Sequence, residues 1–383
     1  MQILRIMRYM VLLILICVNF SAFGQIMMGA ERFDIYKRLV KNKKVGVVVN
    51  HTSLINGQHL VDFLDERKVK VNTIFTPEHG FAGKADAGES VENESTPYDN
   101  YKIISLYGDK KKPKKEDLEG LDVVLFDLQD VGVRFYTYIS TMHYMMEACA
   151  ENNISFIVLD RPNPNGMYVD GPVLKKEFTS FVGMHPIPVL HGCTVGELAQ
   201  MINGEGWLAN GVTCDLRIIP MRNYDHSLDY ILPVPPSPNL PTPQAVKLYP
   251  SLCFFEGTVV SVGRGTNQPF EVIGHPRYPA LFSFTPEPNE GAAHPKHQGR
   301  KCYGMNLSTA PAGGLTLIYL TNFYEKLDTD KFFVPFFDLL AGTDELRKQI
   351  VAGFNEIEIR LTWVDDLRNY KTTRAKYLIY PDK

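Results

Sequence analysis

The sequence predicts an α/β protein built on a doubly wound parallel sheet, followed by a second, smaller α+β domain. Three observations predict this class. Short β-branched runs recur through the first half of the chain, helix-like patterns separate them, and a dense proline run follows. Near-continuous apolar strands between helices are typical of a parallel sheet that is covered on both faces. A Rossmann-like N-terminal domain is therefore the expected fold.

The individual elements follow from local patterns in chain order. A helix-like stretch is predicted around residues 58–66, and a helix after residue 138 is predicted from Ile139, Met142, Met146 and Cys149 at three-to-four spacing. Thr194 is predicted to open a further helix, because Glu197 three residues later completes a capping box. The tail from Phe354 to Tyr380 predicts one long helix. The predicted strands of the first half are 45–49, 69–75, 102–106, 122–127 and 154–160.

The domain organisation is predicted from the proline run Pro233–Pro243, whose fixed φ angles make it a stiff connector. We place the junction there, which predicts a Rossmann-like catalytic domain over residues 25–240. Residues 241–383 are then predicted to form a C-terminal domain that completes the cleft.

Residues 1–24 have the layout of a secretory signal peptide. Arg5 and Arg8 precede an apolar run from Tyr9 to Phe20, and small residues stand before a cut after Gly24. The run is about 12 residues, which is shorter than the ~20 that a transmembrane helix needs. The sequence therefore predicts a periplasmic or secreted protein with no stable membrane anchor after processing.

Composition and motifs exclude several classes of ligand. Charged residues make up 22% of the 383 residues and the net charge is only −3, so no single-sign field is present to bind nucleic acid. No GxGxxG motif follows the first predicted strand, and the SVGRGT stretch at 261–266 lacks the spacing of a phosphate-binding loop. We therefore expect no cofactor and no nucleic-acid partner.

Polar side chains follow four of the predicted strands, at the edge where ligands bind in open α/β sheets. For each of them a structural role, such as capping or ion pairing, is the alternative. These candidates are Asn50, then Glu78 and His79, then Asp127, Asp130, Arg134 and Tyr136, and finally Arg161 and Asn163.

Paired carboxylates in one cleft predict glycoside hydrolysis, in which one acts as an acid and the other as nucleophile, base or electrostatic stabiliser. Glu78 is the strongest candidate, because Pro77 before it constrains its turn. Glu89 lies in a long polar loop and is the second candidate, with Asp127 as a further one. Tyr136 is a candidate for stacking on a sugar ring.

Metal-assisted hydrolysis is the competing interpretation of the same residues. Asp127, Asp130, Glu78 and His79 offer oxygen and nitrogen ligands, but no HExxH or other closed ligand spacing is present. We therefore predict no metal site. In the second half, the glycines around Arg264 let the backbone approach a ligand while the guanidinium binds an anion.

Long blocks of the sequence resemble the exo-acting β-N-acetylmuramidases of the NamZ type. The resemblance covers the chain from about Val45 to Pro381, with the blocks in the family order. These blocks include TPEHGFAG, GESV, VLFDLQDVGVRFYTYISTM, LDRPNPNG, PIPVLHGCTVGELAQMIN, SVGRGTNQPFEVIG and RAKYLIYP. The resemblance implies a Rossmann-like domain and a smaller C-terminal domain, with the active site in the cleft between them.

The activity that the resemblance implies is removal of terminal N-acetylmuramic acid from the non-reducing ends of peptidoglycan fragments. The expected substrates are peptidoglycan-derived sugars such as MurNAc-GlcNAc. Arg134, Arg161 or Arg264 is then expected to bind the lactyl carboxylate. Whether Glu78 or Glu89 is the acid, and whether configuration is retained, stays open. A non-catalytic periplasmic sugar-binding protein on the same frame is the alternative function.

Overall fold

The computed structural model describes residues 24–83, 98, 101–108, 110–327, 329 and 331–382. The predicted signal peptide, apart from Gly24, lies outside the described residues, and so does Glu89.

Six parallel strands form the central sheet of the first half. Their spatial order is β5-β4-β1-β6-β7-β8, which is the order of Rossmann folds and confirms the predicted fold class. A short hairpin, β2 (Leu54–Ile55) and β3 (Gln58–His59), follows the first of them. The sheet strands are β1 (Lys44–Val48), β4 (Lys70–Thr76), β5 (Lys102–Ser105), β6 (Val123–Phe126), β7 (Ser155–Leu159) and β8 (Leu216–Ile219).

Helices cover both faces of this sheet, because successive side chains of each buried strand point to opposite sides. Val47 and Leu125 pack in one core with α1 (Phe33–Val40) and α2 (Leu60–Glu66). Val48 and Phe126 pack in a second core with α3 (Tyr138–Glu151) and α4 (Val195–Gly204). Strands buried on both faces read as continuous apolar runs, which is why the sequence revealed them.

The five predicted strands agree with the observed ones to within one residue at either end. The sequence analysis missed β8, in which only Ile219 is buried and Arg217 is exposed, so that no apolar run marks it. Residues 58 and 59 belong to the hairpin and not to the predicted helix, which begins at Leu60. The capping box is confirmed, since the Thr194 hydroxyl accepts from the Glu197 N–H.

The second half is a smaller α+β unit, as predicted. Its antiparallel sheet has the order β10-β11-β9 and is surrounded by short helices. The strands are β9 (Val272–His275), β10 (Ser283–Phe284) and β11 (Cys302–Asn306), and the helices are α5 (Pro243–Leu252), α6 (Ile318–Lys326), α7 (Phe336–Ala341), α8 (Glu345–Val351), α9 (Glu356–Leu361) and α10 (Val364–Arg374).

The predicted long C-terminal helix is wrong. The chain breaks between α9 and α10 at Thr362 and Trp363, where the indole is buried. Ile357 and Leu361, which suggested a continuous apolar side, are 73% and 66% exposed. Packing of Trp363 into the core thus overrides the apolar spacing that suggested one helix.

The C-terminal tail returns to the first half of the chain. The Tyr380 hydroxyl donates to Asp160 Oδ2 at 2.6 Å, and the Ile379 N–H donates to Glu197 Oε1 at 2.8 Å. Asp160 follows β7 and Glu197 lies in α4, so the last residues of the chain are bound to the first domain. Among the described residues, no helix combines the length and the hydropathy needed to cross a bilayer.

Candidate active site

A cavity of about 490 Å³ lies beyond the carboxyl ends of β4 and β5, and both parts of the chain line it. It brings together four of the residues that the sequence nominated, namely Glu78, His79, Tyr136 and Arg264. Aromatic and aliphatic side chains form much of the remaining wall. They include Phe135, Phe181, Leu240, Tyr249, Phe270, Phe336 and Leu340.

The turn after β4 fixes Glu78 on this wall. Pro77 precedes it, and His79 and Gly80 both have positive φ angles, of 69° and 71°. A non-glycine residue in this conformation is uncommon and is held by its surroundings, so the turn has a single backbone geometry. The Thr137 hydroxyl, which stands directly before α3, donates a hydrogen bond to Glu78 Oε2. The carboxylate is therefore oriented from two sides.

Two tyrosines connect the first strand to the cavity. Asn50 follows β1 and donates through Nδ2 to the Tyr138 hydroxyl at 2.8 Å, while Tyr136 donates to the Pro236 carbonyl at 2.8 Å. Burial raises the pKa of both phenols well above the usual range, so both stay protonated. Asn50 itself is buried and does not line the cavity; it supports Tyr138, whose ring lies 4.7 Å from that of Tyr136.

Arg264 reaches the cavity from the glycine turn and pairs with a carboxylate. Its Nε donates to Glu256 Oε1 at 3.1 Å, and its guanidinium lies 5.3 Å from the centre of the Phe270 ring. Gly263 and Gly265 have φ angles of 79° and 77°, so the turn needs glycine on both sides of the arginine. Burial lowers the pKa of Arg264, but Glu256, together with Tyr249 and Cys253, raises it by more, so that the pKa is raised overall.

Asp127 and Arg161 form a buried bidentate ion pair behind the cavity. Arg161 Nε donates to Asp127 Oδ1 at 2.6 Å and Nη2 donates to Oδ2 at 2.9 Å. The two side chains are 0% and 3% exposed, and neither lines the cavity. The pair joins the carboxyl ends of β6 and β7, and each charge already has its partner.

Arg134 is fully buried and is bound to backbone carbonyls. Its Nη1 donates to Pro172 and Ile187 at 2.7 and 2.8 Å, and its Nη2 donates to Leu340 and Ala341 at 2.9 and 2.7 Å. Burial lowers the pKa of this guanidinium to about 9. Arg134 therefore does not lie on the cavity wall. Its four hydrogen bonds connect α7 to the segments around Pro172 and Ile187, and we call this arrangement the Arg134 clamp.

Asp130 and Asn163 lie in a buried polar cluster that also stays outside the cavity wall. Asp130 Oδ2 accepts from the Gly132 N–H at 2.6 Å, and burial raises the pKa of this carboxyl to about 7. Asn163 donates to the Cys193 carbonyl at 2.9 Å and accepts from the Asn165 N–H at 2.7 Å. Both side chains thus shape the loops that support the site.

The structure adds cavity residues that the sequence analysis did not nominate. Glu256 is a second carboxylate on the same wall as Glu78, and Thr137 and Lys111 also line the cavity. Glu256 lies eight residues before its partner Arg264. The EGT and SVGRGT stretches that contain the two residues are the sequence signal from which Glu256 could have been nominated. Lys111 belongs to a run of lysines, which ordinarily indicates a solvated loop.

No group of three or more His, Cys, Asp or Glu side chains within the described ranges is arranged to hold a metal ion. Asp127 is paired with Arg161 and Asp130 is turned toward Gly132, so they do not join Glu78 and His79 in one ligand set.

Comparison with known proteins matches almost the whole chain. The family model described as exo-beta-N-acetylmuramidase NamZ, N-terminal, matches residues 45–244, and its C-terminal counterpart matches residues 247–380. The peptidoglycan beta-N-acetylmuramidase NamZ of Bacillus subtilis is 39% identical over 380 residues, covering 90% of this chain and 89% of that protein.

Two crystal structures of DUF1343 family proteins from Bacteroides fragilis share the fold. The first is 44% identical, with a TM-score of 0.87, and covers 94% of this chain and 100% of its own. The second is 29% identical, with a TM-score of 0.78, and covers 93% and 99%. The likeness therefore extends over both parts of the chain.

Proposed function

The chain belongs to the exo-β-N-acetylmuramidase NamZ family, and on that premise we propose that it releases terminal N-acetylmuramic acid from the non-reducing ends of peptidoglycan fragments. It is a glycoside hydrolase, and its proposed substrates are sugars such as MurNAc-GlcNAc. The observation that carries the proposal is the Glu78 carboxylate, fixed by its turn and by Thr137 on the wall of a sugar-sized cavity.

Glu78 is the proposed general acid. Cleavage of a glycosidic bond needs a proton on the departing oxygen, and a positioned carboxyl group delivers it. The Thr137 hydroxyl and the turn around His79 fix the direction of this carboxyl before substrate arrives. Such preorganisation is what a proton donor needs, because a small displacement of the donor lowers the rate.

The second catalytic function has two protein candidates. Glu256 lines the same cavity, where Arg264 holds it, so it is placed to stabilise positive charge that develops on the sugar ring. Glu89, the candidate from the sequence, remains the other. If the acetamido group of the substrate acts as the nucleophile, neither Glu256 nor Glu89 is needed in that role. Asp127 is no longer among our candidates, because Arg161 already holds both of its oxygens in a buried pair.

The proposed activity is tested by incubating the protein with MurNAc-GlcNAc and with longer peptidoglycan glycans. We expect free N-acetylmuramic acid as the first product from both, at a rate that chelators do not change. Products that are all larger than a monosaccharide would overturn the exo action. Binding of the disaccharide without any hydrolysis would instead identify a sugar-binding protein.

We also propose that the chain is exported and that the mature protein begins at Gln25. Two contacts next to this position support the proposal, because they attach the residues after the predicted cut to the fold: the Gln25 carbonyl accepts from Asn223, and the Met27 and Arg222 backbones pair with each other. Expression in a bacterial host followed by N-terminal sequencing of the periplasmic and secreted fractions tests this. An intact Met1 terminus in the processed fractions would overturn the proposed cleavage.

A further inference from the structure

The cavity continues into two neighbouring depressions. One shares Glu256 and Arg264 with the cavity and has a volume of about 340 Å³. The other shares Lys111 and has a volume of about 580 Å³. We call the latter the lysine depression, and it is lined by Lys110, Lys111, Lys112, Lys114 and Tyr144.

The two continuations differ in how their cationic groups are engaged. At the first, the Arg264 guanidinium pairs with Glu256 at 3.1 Å, and the Lys296 ammonium donates to three backbone carbonyls. The lysine depression presents four ammonium groups, and two of them are balanced by carboxylates of the protein. Lys110 pairs with Asp117 at 2.8 Å, and Lys112 pairs with Glu147 and Glu151, each at 2.8 Å.

Lys111 and Lys114 make no ion pair with any carboxylate of the described residues. The Lys111 ammonium lies 4.9 Å from the centre of the Phe181 ring, and that ring stacks on Tyr144 at an interplanar angle of 11°. An aromatic face attracts a cation, and the ammonium group, which has three N–H donors, can still donate to an anion. The paired neighbours and the buried Pro113 anchor the loop that carries it. The depression thus offers an anchored, uncompensated positive charge at the cavity wall.

The arginines that the sequence nominated for anion binding are already engaged. Arg134 is bound to four carbonyls, Arg161 to Asp127, and Arg264 through its Nε to Glu256. Among the cavity-lining cations of the described chain, Lys111 alone lacks a carboxylate partner. An anionic substituent of a sugar in the cavity therefore gains most from Lys111.

We propose that the lysine depression binds the carboxylate carried by the O3 ether arm of the sugar, with Lys111 as its contact and Lys114 as supporting charge. This inference rests on the proposed function. This carboxylate can come from either of two groups. It is the free lactyl group itself, or it belongs to the first acidic residue of a peptide that is attached to the lactyl group. In either case Lys111 determines which O3 substituents the enzyme accepts.

The test compares three aryl β-glycosides of N-acetylmuramic acid: one with a free lactyl carboxylate, one with a neutral lactyl amide, and one with an L-alanyl-D-glutamate peptide. Each is assayed with the wild-type protein, Lys111→Gln and Lys115→Gln. Lys115 is an exposed lysine of the same run that lines neither the cavity nor the depression, so it is a matched control.

We expect the wild type to prefer a carboxylate-bearing substrate over the amide in kcat/KM by about 10-fold, the size of one charge-assisted contact. Lys111→Gln should abolish this preference, so that the carboxylate-bearing substrates and the amide are cleaved with similar kcat/KM, while Lys115→Gln keeps the wild-type preference. Loss confined to the free lactyl substrate identifies that group as the ligand, and loss confined to the peptide substrate identifies the peptide. The preference should also fall as salt is raised, because salt screens the rim charges.

A Lys111→Gln variant with the wild-type preference would overturn the inference, and so would an Arg264→Gln variant that alone abolishes it. Calorimetric binding of free N-acetylmuramic acid and of its lactyl amide separates this failure from failure of the proposed function. If the wild type cleaves none of the glycosides, the proposed hydrolysis fails, and equal binding of acid and amide then also refutes the role of Lys111.

Discussion

At the scale of single residues, Glu78 and Glu256 are two carboxylates of one cavity in different surroundings. Glu78 accepts from a neutral hydroxyl, Thr137, whereas Glu256 is held by the guanidinium of Arg264. Because the Arg264 guanidinium already donates to one oxygen of Glu256, this carboxylate suits a stabilising role better than that of a proton donor. Different environments for two acids in one site are how their roles are divided.

We predict that Glu78→Gln lowers turnover of MurNAc-GlcNAc by about 10²–10⁴-fold while the protein stays folded, because the change removes only the proton and the charge. The loss should be much smaller for a dinitrophenyl glycoside, whose leaving group needs no protonation. Rates on both substrates, with circular dichroism of the variant, measure this. Thr137→Val is the control, and we expect a smaller loss since the carboxyl group remains. Equal losses on both substrates would show that Glu78 is not the acid.

A second residue-scale prediction concerns pH and Asp130. Burial raises the pKa of its carboxyl from 3.8 to about 7, so between these values the folded state holds a proton that the unfolded state releases. Stability is therefore lost as the pH rises through this window. Asp130→Asn should not show this loss of stability. As the pH rises through the window, the free energy of unfolding of the variant should therefore increase relative to that of the wild type, by up to about 1.4 kcal/mol per pH unit.

Urea unfolding of wild type and Asp130→Asn at several pH values between 4 and 8 measures the difference. Asp365→Asn is the matched control, since the Asp365 side chain is 83% exposed. Parallel stability curves for wild type and Asp130→Asn would contradict the prediction.

Whether the role of a single residue could be predicted depended on the contacts that its side chain makes in the folded protein. Arg264 was nominated from its glycine turn, and the strand-end rule brought Glu78, His79 and Tyr136 to the wall of the same cavity, since the sheet brings strand ends together. The same rule also nominated Asp127 and Arg161, because a strand-end position does not reveal that two such residues face each other and pair. Glu256 was not predicted because its role depends on a contact across a turn.

At the scale of elements, Arg134 connects the segment before α3 to α7, which forms part of the cavity wall. Its guanidinium is the donor for carbonyls at Pro172, Ile187, Leu340 and Ala341. Phe336 and Leu340 of α7 line the cavity, so this clamp holds the wall in place. Arg134 therefore stabilises the fold and, through α7, also the position of the cavity wall.

We predict that Arg134→Met destabilises the protein by about 3–5 kcal/mol, because it leaves buried carbonyls without donors. Arg134→Lys keeps the charge but reaches fewer carbonyls, and we expect an intermediate loss. Denaturant unfolding measures both. Arg368→Met is the control, since that side chain is 70% exposed. Equal effects at positions 134 and 368 would contradict the clamp.

The elements also show why some could be predicted and others not. β6 and β7 are buried along their length, so their apolar runs stand out in the sequence. β8 is an edge strand with a single buried residue, and no run marks it. The predicted C-terminal helix failed because Trp363 turns into the core and breaks it, an event decided by tertiary packing.

At the scale of the whole molecule, the cavity depends on the path of the entire chain. Glu78 comes from the sheet and Glu256 from the segment after α5, yet they line one wall. The C-terminal tail binds back to the first domain, because Tyr380 donates a hydrogen bond to Asp160 and Ile379 donates one to Glu197. The last residues therefore stabilise the parallel sheet, although nearly the whole sequence separates them from its first strand.

We predict that Tyr380→Phe destabilises the first domain and not only the tail. The change removes the donor from Asp160, a buried carboxylate, and the acceptor of the Met221 N–H at 2.9 Å, and such losses cost about 1–3 kcal/mol. Hydrogen exchange should therefore speed up at β7 and α4, while denaturant unfolding shows the lower stability. Tyr377→Phe is the matched control, because that hydroxyl bonds to Glu205 at the surface. If exchange at β7 is unchanged in Tyr380→Phe, or changes equally in Tyr377→Phe, the tail does not close the fold in this way.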